Sequence, residues 1–194
     1  MRMATKTSVW KYAMWITAAL AVLVIPSRAF ADLTLSFDPL NGVITEAAPA
    51  ETLTVALTVD AGADTLKGFS LVLEFDPTYV QPIGVSPGPL MSSGGCTGTF
   101  LDWQNETAIG DSIAVDGASL GCDGMVGSGD MIEIRFIGVV GQYGVSPLAC
   151  RTVRLRNQYN EVLAYTCNPG TIEHRPIIIS TDAETWGRMK ALYR

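Results

Sequence analysis

The chain has 194 residues, 13 basic and 19 acidic side chains, and a formal net charge of −6. That length suffices for one domain with a sizeable core, and the acidic balance repels phosphate backbones, which argues against nucleic-acid binding. A single histidine and four cysteines without a C-x-x-C pair argue against a zinc cage.

Taken in chain order, the first feature is an export signal. Arg2, Lys6 and Lys11 form a basic start, residues 12–25 are apolar, Pro26 breaks the run, and Ala29-Phe30-Ala31 offers small residues where a signal peptidase reads. The expected signal is residues 1–31, cleaved between Ala31 and Asp32. The apolar run of 14 residues is shorter than the ~20 needed to span a bilayer. No stable membrane span is therefore expected after cleavage. The remainder is 163 residues with 9 basic and 19 acidic side chains, a net charge of −10. The location this implies is secreted, extracellular or periplasmic, in a bacterium.

Short strands follow at regular intervals. Residues 32–37 alternate Leu33, Leu35 and Phe37, after which Pro39 and Asn41-Gly42 predict a turn. Residues 52–60 alternate Leu53, Val55, Leu57 and Val59. The clearest strand is 68–75, where Phe69, Leu71, Leu73 and Phe75 recur with period two before Asp76-Pro77 ends it. Residues 79–85 form a short strand, with Pro82 marking an edge or a bulge. Residues 100–104 and 108–115 read as a pair, and Gly127-Ser128-Gly129-Asp130 opens a strand carrying Ile132, Ile134 and Phe136. A hairpin over 148–171 and a last strand near 171–179 complete the set. The predicted class is all-β, an antiparallel sandwich of about nine strands with jelly-roll connections, spanning residues 32–179.

Four cysteines in an exported chain predict two disulfides. Folding the hairpin about Asn157-Gln158-Tyr159-Asn160 places Leu155 opposite Val162, Arg156 opposite Glu161 and Cys150 opposite Cys167. This register predicts a cross-strand Cys150–Cys167 bridge and leaves Cys96–Cys122 by elimination. Residues 180–194 form an amphipathic tail. Thr181-Asp182-Ala183-Glu184 has capping-box spacing, and Trp186, Met189, Leu192 and Tyr193 make an apolar stripe, so a short C-terminal helix is predicted. It serves either as a docked terminal helix or as a recognition tag.

The strand at 68–77, followed by Tyr79-Val80 and Val85-Ser86-Pro87-Gly88, resembles the cohesin family. Gly127-Ser128-Gly129 before Ile132-Glu133-Ile134-Arg135-Phe136 is similar to that family's glycine-led penultimate region. Val153-Arg154-Leu155-Arg156-Asn157 and Gly170-Thr171-Ile172-Glu173 look like its closing strands. The resemblance covers roughly residues 33–175. It implies a nine-stranded jelly roll of the carbohydrate-binding-module type and a partner of the dockerin kind, a small calcium-loaded helical module. No contact residue of the family is carried over, because no motif on the binding face matches.

Catalytic patterns are missing from the sequence. It contains no G-x-S-x-G elbow, no H-E-x-x-H and no phosphate-cradling glycine loop, and His174 has no nucleophile marked beside it. Asp102, Asp111, Asp116, Asp123 and Asp130 show no spacing that singles out a carboxylate pair. The reading is therefore a non-enzymatic interaction module without a cofactor, binding a protein partner in an extracellular assembly. The alternative is a carbohydrate-binding module acting on polysaccharide, for which Trp103, Tyr159 and Tyr165 are the candidate contact aromatics.

Overall fold

The computed structural model describes residues 33–46, 50–60, 65–106 and 110–177, and nearly all of them lie in strands or the turns between them. The strands are β1 (Leu33–Asp38), β2 (Asn41–Thr45), β3 (Thr52–Asp60), β4 (Gly68–Glu74), β5 (Val80–Pro87) and β6 (Gly98–Glu106). They continue with β7 (Ser112–Leu120), β8 (Ser128–Gly138), β9 (Gly144–Arg156), β10 (Val162–Leu163), β11 (Tyr165–Cys167) and β12 (Gly170–Arg175). A single 3₁₀ turn, Pro89–Ser92, is the only helical segment among the described residues, and no helix there is long and apolar enough to cross a membrane. The expected C-terminal helix and its stripe of Trp186, Met189, Leu192 and Tyr193 lie outside the described residues, as do Ala31 and Asp32.

Two sheets stack into a sandwich. The first has the order β11-β1-β3-β8-β5; the second has β2-β12-β9-β4-β7-β6, with β10 beside β9. Side chains alternate as the pleat requires. In β4, Phe69, Leu71 and Leu73 are buried while Gly68, Ser70, Val72 and Glu74 face outward. In β8, Met131, Ile132, Ile134 and Phe136 join Leu33, Leu35, Leu57 and Val59 in one core. Phe75 meets Phe136 edge-on with ring centroids 6.0 Å apart, a favoured aromatic geometry. Where this core is tightest, glycine is required. A Cβ on Gly117 would lie 2.2 Å from the Phe69 ring, and one on Gly138 would lie 2.3 Å from His174 Nε2.

Several expectations need correction. Among the described residues the strand segments number twelve rather than about nine, in part because two strands switch sheets and are each cut in two. The first strand is one of them: β1 belongs to the first sheet, and after Pro39-Leu40 the chain crosses to the second as β2. Asn41-Gly42, expected as a turn, therefore begins a strand.

The sandwich is also not wholly antiparallel. β1 runs parallel to β11 and β2 runs parallel to β12, so the opening strands pair with the closing ones.

The hairpin register is shifted by one. Arg156 pairs with Val162 and Leu155 with Leu163, because the loop holds five residues, 157–161, and Asn160 takes a left-handed conformation (φ 64°). The Asn157 carboxamide oxygen accepts from the amides of Tyr159 and Glu161 and holds this loop together. After two pairs the hairpin ends, and the chain crosses to the first sheet, where Tyr165 pairs with Leu33 and Cys167 with Leu35.

The disulfides join Cys96 to Cys122 and Cys150 to Cys167. The second bridge does not cross a hairpin, as the register argument supposed. It ties β9 of the second sheet to β11 of the first, with Cα atoms 6.4 Å apart.

β5 pairs only with β8 and is an edge strand, with a register shift at Pro82/Gly84. This matches the sequence reading of Pro82.

Candidate binding face on the second sheet

The outward side of β9, β4, β7 and β6 is a four-strand surface whose rows can be read from the pairing. In one row, Arg154 on β9 lies beside Ser70 on β4, then Asp116 on β7, then Asp102 on β6. The next row towards one end is Arg156, Gly68, Ala118 and Phe100, extended by Val162 on β10. The next row towards the other end is Thr152, Val72, Ala114 and Gln104. Arginines thus occupy one flank, Asp102 and an exposed ring the other, and Asp116 stands among mostly small side chains in the middle.

Several features of this face are notable for a sheet surface. Phe100 is 50 % exposed and Val162 63 % exposed, both large for side chains standing on a sheet. Asp102 and Asp116 are directly opposite each other, an arrangement that costs stability. Among the described residues the ion pairs are Arg151–Glu74 and Arg175–Glu173, so Arg154, Asp102 and Asp116 have no ionic partner there. Arg156 is fixed differently, donating from Nη1 to the Asn160 carbonyl (3.0 Å) and carboxamide (3.1 Å) oxygens. Between the arginines and the glycines lies a shallow depression of about 290 Å³, lined by Gly68, Phe69, Ser70, Gly117, Arg154 and Arg156. It could receive a single side chain.

The candidate sugar-contact aromatics are not brought together. Trp103 points inward from β6 and packs against the core, half-buried. Tyr159 stands at the tip of the β9–β10 loop, 74 % exposed, and Tyr165 lies on β11 in the other sheet. The three rings therefore occupy different elements and form no common platform.

His174, which carries no catalytic motif in the sequence, is a buried residue of strand β12. It is 2 % exposed, its Nδ1 is 2.5 Å from the Gln142 carbonyl, and its ring is 5.3 Å from that of Tyr143. The Tyr143 hydroxyl donates to the Glu46 carboxylate, and this bond raises the tyrosine's pKa above its usual value. Beside these groups is a cavity of about 50 Å³, too small for a sugar or a peptide side chain of any size. Among the described residues no group of three or more His, Cys, Asp or Glu is placed to hold a metal ion.

Comparison with protein-family models and with curated proteins gives no match. Solved structures do match. A non-cellulosomal cohesin from the archaeon Archaeoglobus fulgidus superposes with a TM-score of 0.58 at 16 % identity, covering 80 % of this chain and 98 % of that one. The cohesin of a type I cohesin–dockerin complex from Clostridium thermocellum gives 0.58 at 14 % identity, covering 75 % and 95 %. A type II cohesin from the cellulosome of Acetivibrio cellulolyticus gives 0.56 at 12 % identity, covering 73 % and 94 %. The chain has a cohesin-like fold.

Proposed function

We propose that this chain is a secreted, non-catalytic interaction module that binds a protein partner through the outer face of β9, β4, β7 and β6. Export directed by residues 1–31, a single folded domain over residues 32–179, and a tail from 180 that acts as a terminal helix or recognition tag complete the reading. Support for a protein partner comes from the fold, since two of the similar structures are cohesins described in complex with dockerins. The observation that carries the reading is the face itself: exposed Phe100 and Val162 on its two flanks, with Arg154, Asp102 and Asp116 in the adjoining row and without ion pairs among the described residues. Exposed aromatic and arginine side chains around a central depression are the usual anchors of protein interfaces.

The test is capture from the native secretome by wild type and by Phe100→Ala and Arg154→Ala. Each substitution should weaken partner binding by about tenfold, the scale of a hot-spot contact. Adsorption to a panel of insoluble polysaccharides, undiminished in both variants, would instead favour the carbohydrate-binding reading. Release of soluble sugars from that panel would overturn the non-catalytic assignment.

A further inference from the structure

We propose that this face is self-complementary, so that two copies of the chain associate face to face about a two-fold axis running along the strands between β4 and β7. The inference does not depend on the identity of any foreign partner. It comes from how the rows are ordered.

A two-fold axis parallel to the strands reverses the order of strands while keeping each row level with itself. β9 of one copy then lies over β6 of the other, and β4 over β7. In the central row Arg154 meets the partner copy's Asp102, and Ser70 meets its Asp116. On one side of that row Arg156 meets the Phe100 ring, a cation–π contact. On the other, Val72 meets Ala114 and Thr152 meets Gln104, which pairs apolar with apolar and polar with polar. Every contact occurs twice, as an isologous interface demands.

The alternative axis, across the strands, would set arginine over arginine and carboxylate over carboxylate. Charge therefore selects the first arrangement. The middle of the face carries Gly68, Ser70, Ala114 and Ala118, small enough for two sheets to approach at the ~10 Å spacing of a sandwich. The association also gives partners to Arg154 and the opposed Asp102–Asp116 pair, which have no ion pair among the described residues of one copy.

Four strands at ~4.8 Å spacing and seven residues at ~3.3 Å rise cover on the order of 450 Å² a side. A standard stable interface uses about 800 Å² a side. The dimer is accordingly weak, with a dissociation constant on the order of 100 µM. It also covers the face used for a partner, so self-association and partner docking exclude one another.

Sedimentation velocity on protein purified from cells expressing the full chain, from about 5 to about 500 µM, tests this directly. Wild type should shift from monomer towards dimer. Arg154→Asp sets carboxylate against carboxylate, and Asp102→Arg sets guanidinium against guanidinium, so each alone should weaken association at least tenfold. An equimolar mixture of the two variants should dimerise again, because both of its charge pairs become opposite, and so should the double variant. Circular dichroism checks that each retains the β signature. A wild type that remains monomeric at every concentration would overturn the proposal. So would single variants that dimerise like wild type, or a mixture that fails to recover. Secretome capture is scored separately, so a monomeric protein that still captures a partner defeats only the dimer.

Discussion

The outer faces of the two sheets are built on different terms. The first sheet presents Thr34 and Ser36 from β1, Thr52, Thr54 and Thr58 from β3, and Glu133 and Arg135 from β8. Two of its hydroxyls meet within the face, Ser36 Oγ lying 2.7 Å from Thr58 Oγ1, and Ser128 donates to Asp60 at 2.6 Å. Threonine suits an exposed pleat because its branched Cβ favours extended backbone. The second sheet instead sets two carboxylates opposite each other, leaves Arg154 without a counter-ion among the described residues, and exposes half of a phenylalanine. Under the proposal above, the second face is the one shaped for contact and the first is the one that solvates the sandwich.

The two halves of that distinction respond to different substitutions. Leu71→Ala, on the inner side of β4 at 1 % exposure, should remove about 2–5 kcal/mol of stability and impair both faces together, read by denaturant unfolding. Replacing Cys150 and Cys167 with serine should cost about 3 kcal/mol, since the bridge closes a 17-residue separation and ties the sheets to each other. Asp116→Asn should go the other way. Relieving the repulsion across β6 and β7 should raise stability by about 0.2–1 kcal/mol, read by thermal unfolding. If Thr54→Ala on the first sheet weakened association as much as Arg154→Asp does, the contrast between the faces would collapse.

How much of this was legible in the sequence follows from the length and pairing of each element. β4 could be read directly because its seven residues alternate cleanly before Asp76-Pro77, and β8 because Ile132, Ile134 and Phe136 alternate, although Met131 is buried beside Ile132 at a register shift. β10 and β11 are two and three residues long, too short for any periodicity, so the sequence reads there as one continuous hairpin. The single left-handed residue Asn160 then shifted the register by one. The cysteine pairing was nonetheless correct, because the crossing chain carries Cys167 back beside β9 by another route. The binding face was hidden for a related reason. Arg154 and Arg156 alternate visibly on one strand, but the row that sets Arg154, Ser70, Asp116 and Asp102 side by side exists only once three separate registers are known. The inward side of Trp103 is not legible, because nothing local tells the inward side of an edge strand from the outward one.

The parallel pairing of β2 with β12 and of β1 with β11 has a mechanical consequence. Tension drawn between the two ends of the domain runs along these strands in opposite senses, so five residue pairs in one patch and three in the other are loaded together in shear. An antiparallel hairpin pulled from its open end would instead unzip one rung at a time. A domain fastened this way can stand as a link in a chain under load, yielding only when a whole patch lets go.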